Sequence, residues 1–291
     1  MRTEATAALA QQLGLNKDKI RCTTLSGGSI ARAYKLSDGT RRLFIKCMNA
    51  SEAEILRCEQ RGLQQLAETR TIRVPAVIGS GQIEEFSWLA LSWHSFRPME
   101  IAGFRELGQQ LAQLHGLLGC QFGLEENNFI GRTRQINQQT SDWTTFFFQH
   151  RLGVQLDLMD RNHPGHEWRL QLENLHERWQ QQFADYRPEA SLLHGDLWSG
   201  NVGLASDDQP MVFDPAVHYG DRECDLAMTD LFGGFGDTFY AHYQEAWPLS
   251  PGWPERRRFY QLYHLLNHAN LFGGHYVQAC KQRIRELGLQ I

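Results

Sequence analysis

Residues 192–215 read LLHGDLWSGNVGLASDDQPMVFDP. Two leucines lead into His194-Gly195-Asp196, Asn201 stands five positions after Asp196, and Asp214 closes the stretch. Between them, the apolar runs Val202 to Leu204 and Met211 to Phe213 flank Ser206-Asp207-Asp208-Gln209-Pro210, a cluster rich in turn formers. Such a pattern predicts a hairpin, one that brings Asp214 back beside Asn201.

Two carboxylates and a carboxamide in this order suit phosphoryl transfer. The transition state is loose, so charge and alignment are the main demands on the protein. One carboxylate orients the attacking hydroxyl and accepts its proton, a role the order gives to Asp196. Mg²⁺ asks for hard oxygen ligands and tolerates one or two protein carboxylates, which Asp214 and Asn201 can supply. Protein-kinase catalytic loops use the same five-residue step from Asp to Asn and the same later return of a metal-binding Asp. His-Gly-Asp alone would also suit a surface hairpin with incidental acids. The step to Asn201 and the strand ending in Asp214 argue against that.

Upstream, Glu4 to Leu13 has the spacing of a short helix that Gly14 ends. Strand patterns around Leu36 and Arg42 to Lys46 flank Asp38-Gly39, a strong hairpin signal. Gly27-Gly28 precedes them in the loop Ser26 to Ile30. Those glycines, with Ser29, would let backbone amides approach phosphates, although without GxGxxG they fit a structural turn as well. Lys46, ending a strand soon after, stands where a kinase keeps the cation for the α and β phosphates. Its acidic partner belongs on the next helix, predicted over Ser51 to Ala67, where Glu52, Glu54 and Glu59 are candidates. Glu59, 13 residues beyond Lys46 and well inside the helix, is preferred. Thr71 to Val77 and Phe86 to Leu91 read as strands, with Gly79-Ser80-Gly81 as a turn between regions. Ser92, Trp93 and His94 follow as the expected hinge, offering backbone groups to an adenine edge.

From Ala102 the texture becomes helical. Phe104, Leu107, Leu111, Leu114 and Leu118 make a buried stripe with His115 packed beside it. Asp142 to Leu152 predicts a helix capped by Ser141, and Leu170 to Phe183 another. Asp221, Arg222, Glu223 and Asp225 form a dense charged group after the central stretch. Asp225 fits either a brace for the catalytic loop through backbone hydrogen bonds or a helix N-terminal charge. Leu-Phe-Gly-Gly occurs at 231 and again at 271, too short a match to establish a repeat. His264 and His268 have an i,i+4 spacing that zinc can use, but no glutamate stands between them, and packing is the better reading.

At 291 residues the chain can bury a substantial core in one large domain or two lobes. With 42% hydrophobic and 21% charged residues it has a globular composition, and a net charge of −4 argues against a general nucleic-acid binder. The six cysteines are scattered with no CxxC pair, so neither a zinc site nor a disulfide framework is indicated. There is no cationic start followed by an apolar stretch and no run of eighteen apolar residues. A cytoplasmic chain without membrane association is expected.

Taken together, these residues resemble the fructosamine kinases, or ketosamine-3-kinases, within the aminoglycoside phosphotransferase and protein-kinase-like superfamily. The resemblance spans nearly the whole chain. It rests most specifically on HGDLWSGN at 194–201, Phe213-Asp-Pro-Ala216, Tyr219-Gly-Asp-Arg-Glu223, and Tyr263-His-Leu-Leu-Asn267 leading to Leu271-Phe-Gly-Gly274. HGDxxxxN by itself is shared across the superfamily. The family's lysine partner, by its distance from Val74-Pro75, falls on Glu59. Ser29 stands where some relatives carry cysteine, and Ser92-Trp93 where an acid and an aromatic are common.

The resemblance implies an α+β fold of two protein-kinase-like lobes: a β-rich ATP-binding lobe over 1–93 and a larger helical lobe over 94–291. It implies an ATP- and Mg²⁺-dependent kinase acting on the sugar 3-hydroxyl of a ketosamine, small or protein-borne, in a monomer or homodimer. A phosphate on C3 sits where enolisation of the C2 carbonyl can expel it, so the step would promote deglycation. In this scheme Asp196 is the base, Asn201 and Asp214 hold Mg²⁺, Lys46 steadies the phosphates, Glu59 orients Lys46, and Trp198 offers an apolar face to the sugar. The alternatives are a kinase for another hydroxylated amine, such as an aminoglycoside or choline, and a nucleotide-binding pseudokinase.

Overall fold

The computed structural model describes residues 3–26, 30–165 and 168–291. It divides into two compact units, one formed by Met1–Gly103 with Val202–Pro215, the other by Phe104–Asn201 with Ala216–Ile291. A linear division at residue 93 assigns the 202–215 segment to the C-terminal region, whereas its contacts group it with the first unit.

The first unit is built on five strands: β1 (Arg21–Leu25), β2 (Arg32–Ser37), β3 (Arg42–Asn49), β4 (Val77–Ile83) and β5 (Phe86–Ser92). They form an antiparallel sheet in the order β1-β2-β3-β5-β4. Alternation along a strand sends successive side chains to opposite faces. On β3, Leu43, Ile45 and Cys47 join Leu9, Ala10 and Leu13 from the helix α1 (Thr3–Gln12) and its end. Phe44 and Met48 lie with Leu56 and Leu63 from the helix α2 (Ala53–Thr69). Lys46 belongs to the second series, and alternation therefore turns it toward α2.

Gly79-Ser80-Gly81 is not a turn but the middle of β4. Opposite Gly81 in the ladder stands Trp88, and a Cβ on Gly81 would lie 2.9 Å from the indole. The glycines make room for a large ring on the neighbouring strand, and the chain reverses instead at Glu84, whose φ is 51°. Thr71 to Ala76, predicted as strand, is irregular.

The predicted hairpin forms, with Val202–Leu204 antiparallel to Pro210–Val212 and Val202 opposite Val212. It is tied within the first unit at several points. Arg97 and Leu204 exchange backbone hydrogen bonds of 2.9 and 3.1 Å, and the Val212 amide donates to the Arg73 carbonyl at 2.9 Å. Arg73 grips both oxygens of Asp207 at 2.8 and 2.6 Å, and Arg97 pairs with Asp208.

The second unit is helical around an aromatic core. Trp143, Phe146, Phe147, Trp168, Trp179 and Tyr260 are all almost fully buried in it. The helix beginning at Trp143 is capped not by Ser141 but by Asp142, whose carboxylate accepts from the Thr145 amide at 2.6 Å. It widens into a π-helix over Phe146–Gly153. Helices over Glu223–Leu231, Asp237–Ala246, Trp253–Phe272 and His275–Glu286 complete the unit. Among the described residues, no helix is long and apolar enough to cross a membrane.

Candidate active site

In the first unit, Lys46 Nζ lies 2.7 Å from Glu59 Oε1 and also pairs with Asp214 Oδ1. The ladder makes the lysine's place, since Lys46 stands opposite Ala33 and Leu89 and is buried. Burial alone would lower the ammonium's pKa, but two facing carboxylates outweigh it and hold the group charged. Glu59 responds the other way. Burial pushes its carboxyl up to about 7 against the pull of Lys46, and the charge of Asp214 adds to the rise. Glu52 and Glu54 are not the partner, and Glu54 pairs instead with Arg57 on the helix surface.

Asp214 reaches Lys46 from the end of the hairpin with a φ of 58°. A non-glycine residue in the left-handed region is uncommon and stores strain that the surroundings must support. Its Oδ1 is taken by Lys46, while the side chain remains 44% exposed. A carboxylate oxygen is thus accessible to a hard cation, although Asp214 is committed to the lysine as well.

The expected hinge shows its own commitments. The Ser92 amide donates to the Ala76 carbonyl, and the Ser92 hydroxyl bonds both the Ala76 amide and His94 Nε2. The Ser92 amide is therefore already engaged within the unit. Trp93 packs its ring under the Lys35 ammonium at 4.5 Å. Gly27, Gly28 and Ser29, the expected phosphate loop, lie outside the described residues.

In the second unit the His194-Gly195-Asp196 loop is held by its backbone. The amides of His194 and Gly195 donate to the two oxygens of Asp225 at 2.7 and 2.8 Å, and the His194 carbonyl accepts from the Ala216 amide at 2.8 Å. Gly195 is required twice over. Its φ is 84°, and a Cβ there would lie 2.1 Å from the Ala216 carbonyl oxygen. With the loop so fixed, the Asn201 carboxamide donates to the Asp196 carbonyl at 2.8 Å and to its Oδ2 at 3.3 Å. Spending the NH₂ group this way leaves the Asn201 carboxamide oxygen as the donor a magnesium ion would want. Trp198 lies across Gly200, where a Cβ would fall 2.4 Å from the indole.

Asp225 is thus the brace, not simply a charge at a helix start. Burial would raise its carboxyl, yet the hydrogen bonds it accepts, led by His115, keep it below the usual carboxylate range. His115 Nε2 lies 3.2 Å from Asp225 Oδ2, and His115 Nδ1 lies 2.8 Å from the Tyr243 hydroxyl. Burial keeps the imidazole neutral, so Nε2–H donates to Asp225 and Nδ1 accepts from Tyr243. Arg222 donates to the same hydroxyl at 3.0 Å. The chain of donors therefore runs one way, from Arg222 to the loop carboxylate.

Sequence reasoning placed His115 in the packing and missed this relay. Its signal was the density of charges at 221–225 between apolar residues, since so many buried charges have to be paired. Asp221 accepts from the hydroxyls of Tyr186 and Tyr260, and Glu223 forms a two-bond pair with Arg256 at 2.8 and 2.7 Å. His264 and His268 are packed residues, and among the described residues no group of three or more His, Cys, Asp or Glu could hold a metal.

A sheet unit carrying a buried Lys–Glu pair and a helical unit carrying a braced His-Gly-Asp loop define the protein-kinase-like phosphotransferase class. Comparison with known proteins narrows it. The model of the family described as fructosamine kinase matches residues 1–290. A probable ketoamine kinase from Synechocystis is 41% identical over 267 residues, 90% of this chain and 88% of that one. The crystal structure of a Haemophilus somnus protein, provisionally assigned as a fructosamine-3-kinase, has a TM-score of 0.87 at 29% identity, covering 98% of this chain and 96% of that one. An aminoglycoside-3'-phosphotransferase of type VIII shares the fold, with a TM-score of 0.57 at 21% identity, covering 94% of this chain and 100% of that one. The chain belongs to the fructosamine kinase family, and so to the ATP-dependent phosphotransferases.

Proposed function

We propose that the protein transfers the γ-phosphoryl group of ATP to the 3-hydroxyl of a ketosamine, free or carried on a protein. The observation that carries this reading is the complete set of roles in a chain of this family. Lys46 is kept charged by two carboxylates, and Asp196 stands on a loop braced by Asp225. Asp196 accepts the proton of the attacking hydroxyl, and Lys46, oriented by Glu59, steadies the α and β phosphates. Asn201 and Asp214 are the protein's ligands for magnesium, which when bound neutralises phosphate charge. Trp198 offers its ring to the sugar.

The product has a use that follows from its chemistry. Loss of a proton from C1 gives the 1,2-enaminol, whose electron pair expels phosphate from C3. The conjugated imine left behind takes up water and releases the amine. Phosphorylation at C3 would thus reverse glycation of the amine.

The test is acceptor-dependent ADP formation with ribulosamines, fructosamines, choline and aminoglycosides, followed by phosphorus NMR of the product. A ketosamine 3-phosphate is expected, with free amine appearing as it decomposes. Turnover confined to choline or an aminoglycoside would replace the ketosamine reading. ATP binding without turnover of any acceptor would leave a nucleotide-binding scaffold.

A further inference from the structure

The helical unit holds a cavity of about 310 Å³, and none of the residues assigned to phosphoryl transfer lines it. Its walls come from three places. One is a hairpin of Asn128–Ile130 and Thr133–Gln135, joined by Gly131 and Arg132. The others are the helix Val154–Asn162 and the end of the helix Trp253–Phe272. The volume falls at the low end of the range for ligand pockets and suits a small organic molecule.

Local sequence explains what faces this space. Gly131, at a φ of 62°, permits the two-residue turn. Side chains alternate after it, so Thr133 and Gln135 are buried while Arg134 is exposed, as is Arg132 at the turn. On the helix, Val154, Leu158 and Arg161 recur at steps of four and three and share one face. Arg132, Arg134 and Arg161 thus meet at one cavity with Val154, Leu158 and Ile136. The apolar three are partly buried and the arginines exposed, so cations rim an apolar floor. The frame around it is tied. The Asn162 carboxamide donates to that of Asn270 at 3.0 Å, the Asn270 carboxamide donates to that of Gln155 at 2.9 Å, and the Ile136 carbonyl accepts from Arg151 at 2.6 Å.

The charge is one-sided. The chain as a whole carries −4, yet three guanidinium groups and, among the described residues, no carboxylate line this cavity. The acids of the same helix are engaged elsewhere. Asp160 accepts from the amides of Trp168 and Arg169 at 2.6 and 2.9 Å, and Asp157 pairs with the Arg169 side chain at 3.1 Å. Arg161 donates through Nε to the Asp157 carbonyl at 3.2 Å, which leaves its two terminal nitrogens for a ligand. Gathered like charges raise the local potential, and an anion relieves it. Guanidinium forks match the oxygens of phosphate and carboxylate alike. A phosphomonoester brings three oxygens and nearly two charges to three arginines, whereas a carboxylate brings fewer of both. The apolar floor adds a demand for carbon surface on the ligand.

We propose that this cavity binds a phosphomonoester with a small apolar or aromatic body. The phosphate lies among Arg132, Arg134 and Arg161, and the body against Val154, Leu158 and Ile136. The site goes beyond the proposed kinase activity and does not depend on which acceptor the enzyme uses.

The experiment is titration calorimetry of the full chain with phenyl phosphate at saturating MgADP, which keeps the nucleotide site filled. A Kd on the order of 0.1 mM is expected, reasonable for a ligand of this size. Inorganic phosphate and glycerol phosphate, which lack the apolar body, should bind roughly tenfold more weakly. Arg134→Ala and Arg161→Ala change exposed side chains, and each should weaken phenyl phosphate roughly tenfold, as for loss of a charge-assisted hydrogen bond. Trp198→Ala should leave that affinity unchanged, and melting temperatures report that every variant is folded. No binding at millimolar phenyl phosphate would overturn the proposal, as would equal affinity for inorganic phosphate. So would binding that appears only without MgADP, unchanged affinity in both arginine variants, or an equal loss in Trp198→Ala, each of which places the ester elsewhere. Failure to phosphorylate any ketosamine would overturn the proposed function and leave this binding result standing.

Discussion

The two units hold the residues of the candidate site by different physics. In the first, Lys46, Glu59 and Asp214 hold one another, one ammonium between two carboxylates with little help from the backbone. In the second, Asp196 is placed by its loop, whose preceding amides close on the buried carboxylate of Asp225. A charge-held cluster depends on the balance of its charges and rearranges when that balance changes. An amide-held loop depends on shape and on an acceptor being present, and it should be indifferent to nucleotide charge. On the proposed function, that difference should separate substitutions that disturb ATP from those that disturb the acceptor hydroxyl.

On the proposed function, the largest effect is expected at Asp196, the residue assigned the role of base. Asp196→Asn removes the proton acceptor and should lower kcat by about a thousandfold, within the usual range for general-base catalysis. MgATP affinity measured by calorimetry should hardly move. A variant that keeps a tenth of wild-type turnover would remove Asp196 from the role of base.

Next comes the charge-held cluster. Lys46→Ala leaves the Glu59 and Asp214 carboxylates without their shared cation. A loss on the order of a hundredfold in kcat/KM for ATP is expected, as for removal of a preorganised charge-stabilising donor. The acceptor KM should change little. Equal losses for ATP and acceptor would mean that the two units do not divide the work as described.

A smaller effect tests the other side of the comparison. Asp225→Asn puts an NH₂ group where two backbone amides and His115 donate, leaving a buried donor without an acceptor. The expected cost is about 2 kcal/mol of unfolding free energy, seen in denaturant titration. Turnover should fall roughly tenfold through displacement of Asp196, with MgATP affinity preserved. An unchanged stability would show that the loop does not depend on this carboxylate.

The smallest effect is a slope. The Glu59 carboxyl lies near 7 in the folded chain against an ordinary 4.5. Between those values the folded chain keeps a proton that the unfolded chain has released. The group therefore contributes stability at pH below 4.5, and this contribution is lost as pH rises through 7. Glu59→Gln cannot titrate, so its unfolding free energy should fall less steeply than wild type across that window in urea titrations at several pH values. Coincident slopes would contradict the raised value.

Much of the candidate site's local geometry could be read from the sequence because it depends on short spacings. The five-residue step from Asp196 to Asn201 and the hairpin before Asp214 are local, and the structure forms both. Lys46 and Glu59 are linked by one strand and the helix after it, so strand alternation and helix position largely determine their meeting. The glycines at 79 and 81 misled because a Gly-Ser-Gly cluster has the composition of a turn. What keeps it extended is the Trp88 ring on the next strand, which no local pattern reveals. The relay from Arg222 through Tyr243 and His115 to Asp225 joins residues up to 128 positions apart, beyond any spacing rule.

By itself the sequence determined the family, the order of reactive groups and the short elements that carry them, because helix and strand periodicity and turn chemistry act over a few residues. Tertiary structure decided that Asp214 also answers Lys46, and that His115 and Tyr243 stand behind the carboxylate that braces the His-Gly-Asp loop. Those outcomes depend on burial, which requires each charge to find a partner and each ring a neighbour wherever the folded chain supplies one.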